Sequence, residues 1–383
     1  MGVLDAYETQ LDGLAADERR RSLIPQAGLD FSSNDYLGLA GSGVVRDLLR
    51  TAIDRGVPIG SGGSRLLRGN HRAHEELEQF AAAHFDSEAA LYFSSGFAAN
   101  AALFATLPQR GDVVLYDELV HASAHEGMRL GRAECRAIRH NDADSFAAAC
   151  QDYRRSGGRG RIWIAVESLY SMDGDRAPVD ALAVIADRHG AMLVVDEAHA
   201  TGCFGTGGKG LSAHLGQREN LVTLRTCGKA LGVEGGLLCL PMVLRDFMVN
   251  RARGFIFSTA PSPLMAALVQ DVIAMLANDA SYRDGFERLV AHGEARLGHF
   301  CPASARGSQI FPVMIGDNGR AMQLAAALQE QGFDVRGIRP PTVPQGTARL
   351  RISLSLNVDS IAIDALADTL DALGVEPLAG LAA

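Results

Sequence analysis

The chain has 383 residues, 47% of them hydrophobic and 21% charged, with a formal net charge of −9. These values describe a globular chain rather than a disordered one, and the length argues for two domains rather than one core. The negative balance speaks against nucleic-acid binding, and no apolar run reaches the ~18 residues of a membrane span, so neither partner is expected.

Six cysteines without a CxxC pair read as reduced thiols. The opening MGVLDAYETQ carries early acids and no apolar segment, so it is no signal peptide and a cytoplasmic location is expected.

The organisation expected is an N-terminal segment over 1–50, a large domain over 51–260, and a linking helix with a small domain over 261–383. In chain order, short apolar runs at 90–93, 113–115, 162–166, 192–195 and 221–224 are each bounded by glycine or charge. Their hydrophobicity is continuous rather than alternating, which fits parallel strands buried on both faces. Helical stretches separate most of them, beginning with 97–107, so the class is α/β. A helical pattern opened by Pro261 runs to about 300. Beyond it lie a strand at 310–313, a helix at 321–331 closed by Gly332, and a strand at 348–354. That last strand alternates as a half-buried antiparallel strand does. A helix over 360–373 completes a smaller α+β domain.

Only two basic residues are lysine, Lys209 and Lys229. The second lies in Thr226-Cys227-Gly228-Lys229-Ala230-Leu231-Gly232, some thirty residues after Asp196-Glu197-Ala198-His199. A carboxylate closing a buried strand needs a cationic partner, and a protonated pyridine nitrogen is one. A lysine amine in a glycine-flanked turn can form a Schiff base with an aldehyde cofactor, which arginine cannot do. The same Asp-Glu-Ala-His string occurs in nucleic-acid helicases. Those need GxxxxGK[ST], and neither lysine fits, since position 203 is Cys and position 223 is Thr.

Ser94-Ser95-Gly96-Phe97 follows a strand and opens a helix, where free amides suit a phosphate, and the Thr226 hydroxyl is available to the same group. His121 and His125 stand one helical turn apart. A metal would need a third ligand that the sequence does not offer. His121 is better read as stacking on an aromatic cofactor, and His125 as a surface residue. Gly60-Ser61-Gly62-Gly63 reads as a loop pressed against a ligand or another subunit. His71 and His74 are expected on a solvated helix start. Arg339-Pro340-Pro341-Thr342 and Arg349-Leu350-Arg351 offer guanidinium forks for a substrate carboxylate. On a strand Arg349 and Arg351 share a face, so pattern alone does not choose between them.

Together these motifs resemble the α-oxoamine synthases, a family of fold-type-I pyridoxal-phosphate enzymes. The likeness extends from Phe31-Ser32-Ser33-Asn34-Asp35-Tyr36-Leu37-Gly38, through Glu167-Ser168-Leu169-Tyr170-Ser171-Met172-Asp173-Gly174-Asp175, to the arginine strand. It implies the fold-type-I transferase architecture, a large domain with a mainly parallel sheet plus a smaller α+β C-terminal domain, with pyridoxal 5'-phosphate as cofactor. The wording of Asp196-Glu197-Ala198-His199-Ala200-Thr201-Gly202 and Gly60-Ser61-Gly62-Gly63-Ser64-Arg65-Leu66 favours the member that joins L-alanine to a pimeloyl thioester (of coenzyme A or acyl-carrier protein) in biotin synthesis. Members acting on glycine or serine share the chemistry, and a non-catalytic cofactor-binding protein is the alternative from another class.

Position by position, the resemblance implies Lys229 as the Schiff-base lysine and Asp196 as the pyridinium partner. His199 would contact the ring oxygen and His121 would stack on the ring. Ser171, Thr226, Gly96 and Phe97 match cofactor-pocket positions. Thr259, in Phe257-Ser258-Thr259, matches a segment that reaches a neighbour's phosphate, which implies a homodimer. Arg351 matches the amino-acid carboxylate clamp, with Arg339 and Thr342 nearby, and Arg19 of the Arg19-Arg20-Arg21 run matches an acyl-substrate contact. Cys227 and Glu234 depart from the family pattern.

Overall fold

The computed structural model describes residues 2–17 and 19–378, so the last residues of the 261–383 segment lie outside it. Residues 34–171 and 175–286 form one compact unit. Residues up to 33, 172–174 and 287 onward form the other. These limits differ from the boundaries at 50/51 and 260/261 drawn from sequence. Packing explains the difference: helix Pro263–Asn278 lies on helices Gly43–Asp54 and Arg72–His84, so both flanks of the expected domain belong to its body.

The chain first contributes helix Asp5–Ala16 and strand β1 (Leu29–Asp30) to the smaller unit. The larger unit then holds β2 (Ala89–Phe93), β3 (Val113–Asp117), β4 (Glu134–Ile138), β5 (Ile162–Glu167), β6 (Met192–Asp196), β7 (Leu221–Thr226) and β8 (Gly236–Leu240). They form one seven-stranded sheet in the order β2-β8-β7-β6-β5-β3-β4. Only β8 runs against its neighbours.

Successive residues of β5 serve opposite cores, as strand geometry requires. Trp163 and Ala165 join Leu103, Phe104 and Val194 on one face, while Ile162, Ile164 and Val166 join Phe146, Leu182 and Val195 on the other. Sequence reading missed β4 and β8. β4 is an edge strand of mostly exposed or half-exposed residues, and its Glu134-Cys135-Arg136 carries no apolar run. β8 is short and fully buried, and glycine precedes it.

The parallel strands end together at Phe93, Asp117, Ile138, Glu167, Asp196 and Thr226. Open α/β sheets bind ligands beyond this carboxyl edge.

In the smaller unit, β9 (Ile310–Gly316), β10 (Phe333–Asp334), β11 (Arg336–Ile338) and β12 (Ala348–Ser353) follow. β1 pairs with β10, and β11-β12-β9 form an antiparallel sheet. β12 is buried at every position, not half-buried as its alternation suggested. Its arginines are enclosed and the apolar alternates lie in the core with Leu324, Leu328 and Leu366. Among the described residues, no single helix is long and apolar enough to cross a membrane.

Candidate active site

Lys229 lies in the turn between β7 and β8. The turn is closed by hydrogen bonds from Cys227 N to Gly235 O (2.9 Å), Val233 N to Cys227 O (3.0 Å) and Gly232 N to Lys229 O (2.8 Å). Gly232 has φ +64°, and a Cβ there would come within 2.6 Å of Ala40 N, so only glycine fits. Lys229 Nζ stands 2.7 Å from His199 Nε2. The other nitrogen of that buried ring, Nδ1, is 2.6 Å from the Tyr36 hydroxyl, which donates to Asn34 Oδ1 at 2.9 Å. A phenol has one proton to give, so Tyr36 accepts from His199 Nδ1–H and the Nε2 lone pair faces the lysine.

Asp196 closes β6. Its Oδ1 accepts from Ala198 N (2.9 Å) and its Oδ2 from Asn100 Nδ2 (3.2 Å). Burial pushes this carboxyl up to about 6, against the pull of the nearby Lys229 charge. Asn100 Nδ2 also donates to Ser123 Oγ (2.9 Å), which is 2.8 Å from His121 Nδ1. His121 caps helix Ala122–Leu130. Desolvation on its inner side, then the Lys229 charge, lowers its pKa, which favours the neutral imidazole. Asp196, His121 and Asn100 line one pocket with Glu167.

Gly96 opens helix Gly96–Thr106, and the Ser95 side chain caps it by accepting from Ala98 N. Thr226 packs against Gly96: a Cβ there would meet Thr226 Cβ at 3.2 Å. Thr226 Oγ1 accepts from Gly228 N (3.3 Å), which ties the lysine turn to the helix start. Phe97 is exposed and lies edge-on to His121 at 6.4 Å between centroids. Ser171 is half-buried, and Thr259 is exposed on a segment that meets the glycine loop. There Ala260 N donates to Gly63 O (2.9 Å), and Ser61 Oγ donates to Ala260 O (2.7 Å).

Lys209 is engaged elsewhere, 2.6 Å from Asp86. His125 is half-buried against Tyr116, with ring centroids 5.3 Å apart, rather than on the surface. Among the described residues, no cluster of three or more His, Cys, Asp or Glu is placed to hold a metal. The solvated start expected for His71 and His74 is not what forms. His74 is fully buried, its Nε2 2.8 Å from Pro261 O, and the two imidazoles make a capping box with backbone amides. Burial also raises the Cys227 pKa, which leaves an unreactive thiol filling space.

In the smaller unit, Arg349 is buried, ion-paired to Asp173 and donating to Met172 O and Thr347 O. Arg351 is also buried, with Nη1 donating to Ser353 Oγ at 2.6 Å. Arg339 Nη2 donates to Arg20 O (3.3 Å), and Arg21 Nη2 donates to Thr342 Oγ1 (3.0 Å). Arg21, rather than Arg19, is therefore the member of the arginine run on Thr342. Arg19 lies 3.9 Å from Asp17.

Sequence reading gave no role to Tyr36, Asn34, Asn100, Glu167 or His140. Glu167 was open to the criterion that found Asp196, a carboxylate ending an apolar strand. Tyr36 and Asn34 are distant in sequence from His199, and only the fold brings them to it. His140 fastens the loop that carries Ser171: its Nδ1 is 2.9 Å from Asp117 Oδ1 and its Nε2 2.7 Å from Asp175 Oδ2.

The sequence pattern of the family Aminotransferase class I and II matches residues 26–370. An 8-amino-7-oxononanoate synthase of Chromobacterium violaceum is 40% identical over 342 residues, covering 89% of this chain and 88% of that one. A solved structure of SPT with PLP superposes with a TM-score of 0.87 at 25% identity, covering 98% of this chain and all of that one. An 8-amino-7-oxononanoate synthase structure from Francisella tularensis gives 0.76 at 25% identity, covering 91% and 98%. The chain belongs to the class I and II aminotransferase family and, within it, to the family of the 8-amino-7-oxononanoate synthases.

Proposed function

We propose that the chain joins L-alanine to a pimeloyl thioester, releasing carbon dioxide and the thiol carrier, to give 8-amino-7-oxononanoate for biotin synthesis, with pyridoxal phosphate as cofactor. The observation that carries this reading is the meeting of Lys229, His199 and Asp196 at the carboxyl edge of the sheet.

The residues present fit the cofactor. Asp196 is a half-buried carboxyl that desolvation pushes toward neutrality, and a protonated ring nitrogen would supply its counter-charge. The close approach of Gly96 to Thr226 leaves first-turn amides and a hydroxyl beside one another, which suits a phosphate. His121 favours the neutral form, which can lie against a cationic ring without repulsion. When bound, the cofactor supplies an aldehyde for an amine and a ring that withdraws electrons from the amino-acid Cα.

The chain's own groups do the rest. Lys229 Nζ would hold the aldehyde, and as a free amine it would be the base that takes the Cα proton of alanine. His199, fixed in orientation by Tyr36, would stand beside the ring oxygen, its Nε2 able to donate to that oxygen once the imidazole is protonated, and Ser171 would flank it. Arg351, with Arg339 and Thr342 as further candidates, would bind the alanine carboxylate through a planar guanidinium fork. Arg19 remains the candidate for the acyl end.

A second copy of the chain completes the reading. Ile59, Leu67 and Phe257 are 77%, 85% and 71% exposed around the glycine loop and the Thr259 segment. Apolar side chains displayed together favour an interface, and Thr259 would then face the partner's phosphate site. Light scattering should give twice the chain mass. Purified protein should convert L-alanine and pimeloyl-CoA to a product with the mass of 8-amino-7-oxononanoate. Preference for glycine with acetyl-CoA, or for serine with palmitoyl-CoA, would reject the substrate assignment.

A further inference from the structure

A second carboxyl lies beside Asp196 and has no part in the chemistry above. Glu167 closes β5, and its Cα pairs in register with that of Asp196 on the parallel neighbour β6. Residues paired in this way project to the same face of a sheet. Both line the same pocket. Glu167 is 3% exposed, and its Oε1 is buried without a hydrogen-bond partner. The backbone amide of Ser171 reaches its carboxyl. Asp196 and Asp117 bear on it with like charge, and Lys229 with opposite charge.

Two desolvated carboxylates side by side on adjacent strands cannot both stay ionised cheaply. Lys229 offsets them with opposite charge. Asp196 has two hydrogen-bond donors and is the better place for the charge. An orphaned oxygen costs far less on a neutral acid than on a carboxylate. We propose that Glu167 is a positioning residue that stays a neutral carboxylic acid beside Asp196, so that the pair presents one negative charge, not two, to the ring nitrogen of the bound cofactor. This rests on the cofactor reading above. Glu167 thereby sets the charge Asp196 offers, while its contact with the Ser171 amide holds the rim of the pocket.

Infrared spectroscopy of the holoenzyme at pH 8 tests this directly. A carbonyl stretch of a protonated carboxylic acid should be present, shift in heavy water, move when the protein carries ¹³C-glutamate, and vanish in Glu167→Gln. Should that variant fail to fold, Glu167→Asp keeps an acid in place, and its band should no longer respond to the glutamate label. The pH at which the bound cofactor's absorbance titrates should stay within ~0.5 of wild type in Glu167→Gln, because the net charge at Asp196 is unaltered. Absence of the band, or a large shift of that midpoint, would overturn the proposal while leaving the cofactor reading intact. Protein that neither carries nor takes up pyridoxal phosphate would overturn both.

Discussion

Lys229 Nζ and His199 Nε2 are 2.7 Å apart, and the ring that holds this contact is itself held by Tyr36. Lys209 faces Asp86 at 2.6 Å. Chemistry at a lysine therefore belongs to position 229. Borohydride reduction of the holoenzyme followed by peptide mass spectrometry should place the cofactor on Lys229 alone. Lys229→Ala should lose turnover by ~10⁴-fold or more, the scale on which covalent and general-base roles combine. Label on Lys209 would sink the assignment.

Tyr36→Phe removes the acceptor for His199 Nδ1–H while keeping the aromatic bulk. A buried donor left without a partner costs about 1–3 kcal/mol, or roughly 10–100-fold in an equilibrium. That cost should appear as weaker pyridoxal-phosphate binding in an absorbance titration and as a comparable drop in kcat/KM. Wild-type values for both would remove Tyr36 from the site.

The sheet was legible where its strands are buried on both faces, because continuous apolar runs such as 162–166 have no other economical use. β4 escaped because an edge strand can afford Glu134 and Arg136. Asp196, His199 and Lys229 were legible as chemistry, each standing at a strand end or in a glycine turn. The partners that orient them were not: Tyr36, bonded to Asn34, meets His199 across some 160 residues, a distance that no local pattern spans. The solvated start foreseen for His71 and His74 failed for a related reason. Only the fold reveals that Pro261 O offers the buried imidazole of His74 a hydrogen bond.

His140 sits between Asp117 and Asp175, its edge against Tyr170 at 4.5 Å. Burial opposes its charge, yet the hydrogen bonds to the two carboxylates prevail and raise its pKa to about 10. A group whose pKa rises on folding stabilises fully below its unfolded value of about 6.5, and that contribution fades as pH climbs through 10. Urea denaturation of wild type and His140→Gln should differ by about 3 kcal/mol at pH 6, and the gap should close progressively toward pH 10. A gap that widens with pH would contradict the imidazolium assignment. The loop bearing Ser171 should also loosen, read as faster amide exchange over residues 168–176.

Arg349 and Arg351 share a strand and are both buried, yet their surroundings separate them. Arg349 is committed to Asp173 and two carbonyls, so its guanidinium has a structural task. Arg349→Leu should lower the urea midpoint by the equivalent of about 1–2 kcal/mol, since Asp173 is partly exposed and recovers some hydration. Its KM for L-alanine should change little. Arg351 Nη1 donates to Ser353 Oγ at 2.6 Å, and Arg351 is the residue proposed above for the alanine carboxylate. Arg351→Leu should raise the KM for L-alanine by ~10–100-fold, the value of a charge-assisted fork. Arg351→Lys should recover only part of that loss, because a point charge does not reproduce the planar geometry. If the two variants exchange phenotypes, the clamp lies at Arg349 and the Asp173 ion pair must open for substrate to bind.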